Sequence, residues 1–489
     1  MIKSNFIEIL RTFSKEELVL FEEFISTSFH NKNVIAVRLF SEIKKFHPSY
    51  NDSLLTKEYL FRKISGRTKY KDTYIRNLFS DLYNLAEIFI QYRMISKSNE
   101  YKKLLIEELK DRDLYELAEK KIKSFENEMK KIKAKDHEYY LNMSFIYEMK
   151  SFLLVDKTLT DSFRTEQISG IIKLFVITLM ENSFYLRVEE QRVNIRHSFD
   201  FLKYVLEFIK DHLSDFEDSP LLMIYYYLWL HYFYDEEGDK NFLKAKEYFK
   251  KNFKSLSKTD KKNIYSVMQI YYINKIDRGE TGYNKEYLGF LLEMLKLNVL
   301  SHKEKDFINL NLFRNILILC VMLKETELLK KFITKYIGYV DLQSRDTITA
   351  YSYSHLNFLL GDFEKALELC NKINYYDLLS STNDNLYFKN DIRALTLKCL
   401  YELKYYENAI SFIDTHKHFI RNSKLLNESP KKKYMNFLKF VSELIKLNLE
   451  FDEFSFKELK SNFISTKKLI QSDWISEKIS ELEKEFQKK

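Results

Sequence analysis

Arg62, Lys63, Arg67, Lys69, Lys71 and Arg76 gather six cations around Gly66, with Tyr70 and Tyr74 between them. Cations so spaced neutralise phosphates and release counterions, so the chemistry open to this segment is non-covalent contact with a nucleic-acid backbone. A second group is Tyr225, Tyr226 and Trp229 in the run LLMIYYYLWLHYFY, Leu221 to Tyr234. Tyr and Trp dominate the anchors of protein interfaces, which makes these three candidate groove aromatics. Apolar residues on every side of that helix also fit burial in a large core.

Covalent and metal chemistry find no comparable footing. Gly279, Gly282 and Gly289 form neither dinucleotide nor phosphate-loop spacing and read as a turn between helices. His416 and His418 are two residues apart, so on a helix they point in different directions and cannot share a metal. No H-E-x-x-H and no G-x-S-x-G occurs. Cys320, Cys370 and Cys399 lie in hydrophobic helical stretches and read as buried thiols rather than as a disulfide framework. The expectation is a protein with no catalytic residues, no cofactor and no metal, and not an enzyme.

The elements that must position these residues are helices. Eight glycines and three prolines in 489 residues fall far below average usage, which is roughly 12% for the two together. Glycine supplies φ > 0 for tight turns and close backbone approach, and β-hairpins depend on it. An all-α chain of roughly 20–28 helices follows from its length. Its 79 basic and 71 acidic residues nearly cancel, leaving +8, below what makes nucleic-acid binding the default. The N-terminus carries no signal-like apolar run, and Leu221–Tyr234 is shorter than the ~20 residues that span a bilayer. A cytoplasmic protein with no membrane partner is expected.

Ser14-Lys15-Glu16-Glu17 matches a capping box, with Leu18, Phe21, Phe24 and Ile25 following at helical spacing. Tyr115, Ala118, Ile122, Phe125, Met129 and Ile132 alternate by three and four and predict one long helix over 110–135. Further helices are predicted over 138–154, 167–186, 194–213 and 220–234, the last opened by Pro220. The chain divides into an N-terminal helical unit (1–97), a long-helix linker or early repeat region (98–219), degenerate helical pairs (220–430) and C-terminal capping helices (431–489).

Gly361-Asp362-Phe363-Glu364-Lys365-Ala366 resembles the centre of a tetratricopeptide repeat, with Tyr353 and Ser354 at the large and small positions of its first helix. Tyr406 and Ala409 mark a second copy in which Lys404 replaces the turn glycine, and weaker copies end on Leu329 and Ala245. The layout resembles long bacterial helical-repeat proteins. The resemblance implies a helical-hairpin solenoid, a tetratricopeptide-like superhelix preceded by the N-terminal unit; it transfers no binding residues. Stacked repeats leave an extended concave surface that suits a peptide or a partner protein. A non-catalytic interaction scaffold with a protein or peptide partner is therefore expected. The alternative is a nucleic-acid-binding regulator using the basic segment around Gly66, an order similar to bacterial activators that join a DNA-reading unit to tetratricopeptide-like repeats.

Overall fold

The computed structural model describes residues 2, 4–65, 70–153, 157–192, 196–234, 239–280, 282–296, 308–373, 384–423, 428–466 and 468–486. Among these residues there are twenty-three α-helices and no strand. The chain forms two compact units, Met1–Lys131 with Asn142–Gln167, and Ile132–Leu141 with Ile168–Lys489.

The first unit opens with α1 (Asn5–Thr12), α2 (Lys15–Ser26), α3 (Val34–Lys44), α4 (Lys57–Ser65) and α5 (Asp72–Lys97). The capping box starts α2: the Glu17 amide donates to Ser14 Oγ at 3.1 Å and the Ser14 amide donates to Glu17 Oε2 at 2.8 Å. Asn33 Oδ1 accepts from the amides of Ile35 and Ala36 to start α3. The apolar faces of these helices meet around Phe21, whose ring lies edge-on to Phe40 at 5.0 Å and tilted to Phe89 at 5.3 Å.

The long helix expected over 110–135 is instead two, α6 (Asn99–Asp111) and α7 (Tyr115–Met129). Asp113 breaks it by taking φ 60, a conformation that Asp tolerates better than most residues. Ala118, Ile122, Phe125 and Met129 are buried on one face of α7, which packs on α6, whereas Tyr115 and Ile132 at the two ends of the expected seam are exposed. Helices α8 (His137–Leu153) and α9 (Lys157–Arg192) contribute residues to both units. The second begins ten residues before its expected start. Its stretch Leu159–Arg187 is long and apolar enough to cross a membrane by length and composition. Val176, Ile177, Met180 and Phe184 of that stretch lie in the core, and its Lys173 pairs with Asp218 at 2.7 Å.

The second unit continues through α10 (Asp200–Asp211), α11 (Pro220–Phe233), α12 (Lys240–Asn252), α13 (Lys258–Asp277) and α14 (Tyr283–Lys296). Then follow α15 (Leu310–Met322), α16 (Thr326–Tyr336), α17 (Arg345–Leu359), α18 (Phe363–Asn371), α19 (Asp384–Glu402) and α20 (Tyr406–Asn422). The last three are α21 (Glu428–Leu449), α22 (Glu453–Ser465) and α23 (Ser472–Phe486). From α13 to α22 each helix packs on the next, and α15, α17 and α19 also touch in succession, consistent with helical repeats. Gly279 and Gly282 lie in the turn between α13 and α14 as expected, whereas Gly289 sits inside α14.

One turn recurs. Asp113, Gly279, Lys324, Gly361 and Lys404 all have φ between 52 and 86 and each follows a helix end. At Gly361 the amide of Asp362 donates to Asn357 O at 3.0 Å and that of Gly361 to Phe358 O at 3.2 Å. The same two bonds form at Lys324 (to Cys320 and Val321), Lys404 (to Leu400 and Tyr401), Gly279 and Asp113. This doubled closure satisfies carbonyls that a helix end leaves open. At Asp113, Lys324, Gly361 and Lys404 the next helix begins two residues on. The fifth residue after the turn is fully buried: Ala118, Leu329, Ala366 and Ala409 are each 0% exposed.

Lysine at φ 60 carries a backbone cost that glycine avoids. Lys404→Gly is expected to stabilise the chain by about 0.5–1 kcal/mol. A Cβ at Gly361 meets nothing within 4 Å, so Gly361→Ala destabilises through backbone strain alone, by about 1 kcal/mol. Urea midpoints of the two variants moving in opposite directions would check both.

Candidate functional site

The turns fix which side chains of successive first helices share a face. Six and two residues before each left-handed residue stand Ile318 and Met322 on α15, His355 and Leu359 on α17, and Lys398 and Glu402 on α19. All six line one cleft of about 710 Å³, within the ~300–1,000 Å³ range of ligand sites. Leu469, Ile470 and Gln471, together with Trp474, Glu477 and Lys478 of α23, form its opposite side.

At one flank Arg314 grips Asp391 with two bonds, Nε to Oδ2 at 2.5 Å and Nη2 to Oδ1 at 2.9 Å. The Tyr351 hydroxyl donates to the same carboxylate at 3.1 Å. Burial works against the Arg314 charge, and Asp391 more than offsets it, holding the guanidinium above its usual range. At the other flank Trp474 Nε1 donates to Glu402 Oε1 at 2.6 Å and Lys478 Nζ donates to Glu402 Oε2 at 3.0 Å. Lys324 at the mouth pairs with Glu477 at 2.9 Å.

Between the flanks lie two groups without such compensation. Lys398 is 5% exposed, and its Nζ donates to the neutral amide oxygen of Gln471 at 2.9 Å. The ammonium also stands 4.3 Å from the centre of the Phe358 ring and 5.7 Å from that of Trp474. Burial pulls its pKa down to about 8 despite Glu402 and Glu477 nearby. His355 is 4% exposed, and among the described residues neither ring nitrogen has a hydrogen-bond partner. Burial, then the charges of Lys398 and Arg314, lower its pKa to about 3, so it is a neutral imidazole. Neither residue belongs to a catalytic pair with a bonded carboxylate.

The aromatics proposed for a groove lie elsewhere. Tyr225, Tyr226 and Trp229 are buried at 0%, 3% and 0% exposure and line no part of the cleft. Trp229 Nε1 donates to Met180 O at 3.1 Å, and its ring stacks on Phe184 at 4.1 Å. Their rings are consumed by core packing, the burial that an all-round apolar helix demands.

Of the basic group, Arg62 and Lys63 are exposed on α4, and Lys71 and Arg76 are exposed at the start of α5. Arg67 and Lys69, with Gly66, lie outside the described residues. Asp72 sits among these cations: it pairs with Arg76 at 2.7 Å and Lys57 at 3.2 Å, and accepts from the Tyr70 hydroxyl at 2.8 Å. His416 is buried with Nε2 at 3.1 Å from Asn390 Oδ1, while His418 is exposed. Among the described residues no cluster of three His, Cys, Asp or Glu could hold a metal. The three cysteines are buried and free.

Arg314 and Lys398 each stand in an apolar helical run, LFRNILIL and LTLKCLY, which by itself marks no site, and Asp391 stands in the ordinary polar run KNDIR. The available signal was that His355 and Lys398 each stand six residues before a left-handed turn residue. Comparison with protein-family models, with curated proteins and with solved structures finds no match in any of the three.

Asp391→Asn strands the Arg314 charge beside Tyr351 and is expected to cost about 3 kcal/mol. Replacing both partners, as Arg314→Met with Asp391→Leu, should recover most of that loss in urea denaturation. The titrating groups add a pH signature. Between pH 6.5 and about 3 the unfolded chain binds protons that folded His355 and His416 refuse. Their contribution is complete above pH 6.5 and is lost as the pH falls. Lys398 acts oppositely: between about pH 8 and 10.5 its unfolded form holds the proton, so stability rises with pH. His355→Gln and His416→Gln should each flatten the acid slope of the urea midpoint, and Lys398→Met the alkaline rise.

Proposed function

We propose that this chain is a non-catalytic, cytoplasmic protein-interaction scaffold whose helical pairs form a tetratricopeptide-like array that takes a peptide or partner-protein segment in the cleft. The observation that carries this reading is that equivalent positions of three successive first helices converge on one cavity of about 710 Å³. A helical-repeat surface binds by presenting the same face of consecutive units, and here that face is preformed. Apolar Ile318, Met322, Leu359, Leu469 and Ile470 offer contact area, and paired charges stand around them. That mixture of apolar contact and polar rim is what protein interfaces use. The absence from the sequence of motifs for covalent, phosphate or metal chemistry supports binding over catalysis.

Met322 is 37% exposed at the cleft, so Met322→Trp narrows it without disturbing a packed site. Leu104→Trp, at a 54% exposed position in the first unit, serves as control. Crosslinking and affinity purification of the full chain should recover a stoichiometric partner with wild type and Leu104→Trp. Recovery should fall about tenfold with Met322→Trp, the loss expected from about 1.4 kcal/mol of binding energy. Equal recovery by both variants would remove the cleft from the interaction.

A further inference from the structure

We propose that the cleft seats its ligand through an oxyanion, the carboxylate of an acidic peptide segment, held between the Lys398 ammonium and the His355 imidazole. The inference rests on the cleft being the binding face and adds the chemistry that selects the occupant.

Charge arithmetic within the cleft points there. Of the four carboxylates that line the cleft, Asp391 is taken up by Arg314 and Tyr351, Glu402 by Trp474 and Lys478, and Glu477 by Lys324, while Asp473 is exposed to solvent. Lys478 is itself bridged by Glu402 and Glu481. Lys398 thus remains a buried cation whose bonded partner is a neutral amide, with two of its three N–H donors uncommitted by that bond. Buried cations ordinarily have an anionic partner, because pairing offsets the cost of taking a charge out of water.

His355 supplies the second, independent observation. It is more than nine-tenths buried, lines the same cavity, and both ring nitrogens lack partners among the described residues. A neutral imidazole has one N–H to donate. Lys398 and Arg314 are the charges that act on it, so a negative group placed there would relieve the repulsion that now depresses its protonation. A carboxylate accepting from Lys398 and from the His355 N–H satisfies both groups at once. Ile318, Met322 and Leu359 on one side and Ile470 on the other fit apolar neighbours of that carboxylate. A peptide in which acidic and apolar side chains alternate meets both demands.

Trp474, one of two tryptophans in the chain, has its ring centre 5.7 Å from Lys398 Nζ and serves as the fluorescence probe of occupancy. The full chain is titrated with a blocked peptide alternating Leu and Glu, its Leu and Gln counterpart, citrate and inorganic phosphate. The Leu–Glu peptide should bind about tenfold or more tightly than the Leu–Gln peptide, and Lys398→Met and His355→Phe should each remove most of that preference. Lys398→Met should fold, since an apolar chain of similar length replaces a costly buried charge; an unchanged or raised urea midpoint confirms it. Equal affinity for the two peptides, or an undiminished preference in Lys398→Met, overturns the oxyanion seat. If citrate or phosphate binds in a Lys398-dependent way and neither peptide does, the peptide source is overturned while the oxyanion seat stands. A crosslinked partner that needs Met322 but tolerates Lys398→Met overturns the seat and leaves the scaffold reading intact.

Discussion

The left-handed residue at the end of each first helix is the constraint on which the helical pairs depend. It closes two backbone bonds to the helix behind it and launches the next helix two residues later at Asp113, Lys324, Gly361 and Lys404. The connector is the same each time, and the residue five positions on is fully buried at all four: Ala118, Ala366 and Ala409, with Leu329 in the remaining pair. The same geometry fixes what faces the cleft, six and two residues before the turn. A chain nearly without glycine therefore does not avoid φ > 0; it meets it with lysine and aspartate at a backbone cost of about 1 kcal/mol each.

Charge is distributed around the cleft in two ways with different energetic meaning. Arg314, Asp391 and Tyr351 join α15, α17 and α19 through one carboxylate, and the bidentate geometry returns much of what desolvation removes. Removing one member is costly, yet an apolar replacement of both would serve stability equally well. Lys398 and His355 have no such exchange. A buried ammonium whose pKa burial draws down to about 8, and an imidazole without a hydrogen-bond partner among the described residues, lower stability where they stand. Groups that the fold would be steadier without are more readily explained by what they contact than by what they support.

Much of the local architecture could be read from the residues. The Ser14 capping box, Pro220 opening a helix, Gly361 closing one and the buried cysteines are all local chemistry, decided by a few adjacent positions. What escaped was decided elsewhere. Asp113 separates α6 from α7 just ahead of the apolar spacing that begins at Tyr115, and that spacing does not mark where its helix starts, since buried residues recur at the same interval in one long helix as in two packed ones. Helix α9 starts ten residues ahead of its expected start, and Val176 and Phe184 within it are buried in the core of the second unit. Lys398 looked like one polar residue in a hydrophobic helix because its significance comes from residues on α17 and α23, far away in sequence.

The tyrosine-rich helix puts its rings into packing and none of them into the cleft. Aromatic rings give the most burial per side chain, and α11 spends them inward: Trp229 lies within 5.4 Å of Phe184, Phe199, Tyr232 and Phe233. The cleft instead has Trp474, whose ring is fixed by Glu402 and borders Lys398. Glu402 stands one helical turn beyond Lys398, so the bond that holds α23 in place also withholds the nearest carboxylate from the lysine. The C-terminal helix thus closes one side of the cleft by taking the anion that would otherwise neutralise it. What is left for an incoming group is a buried positive charge with its local counterion already engaged.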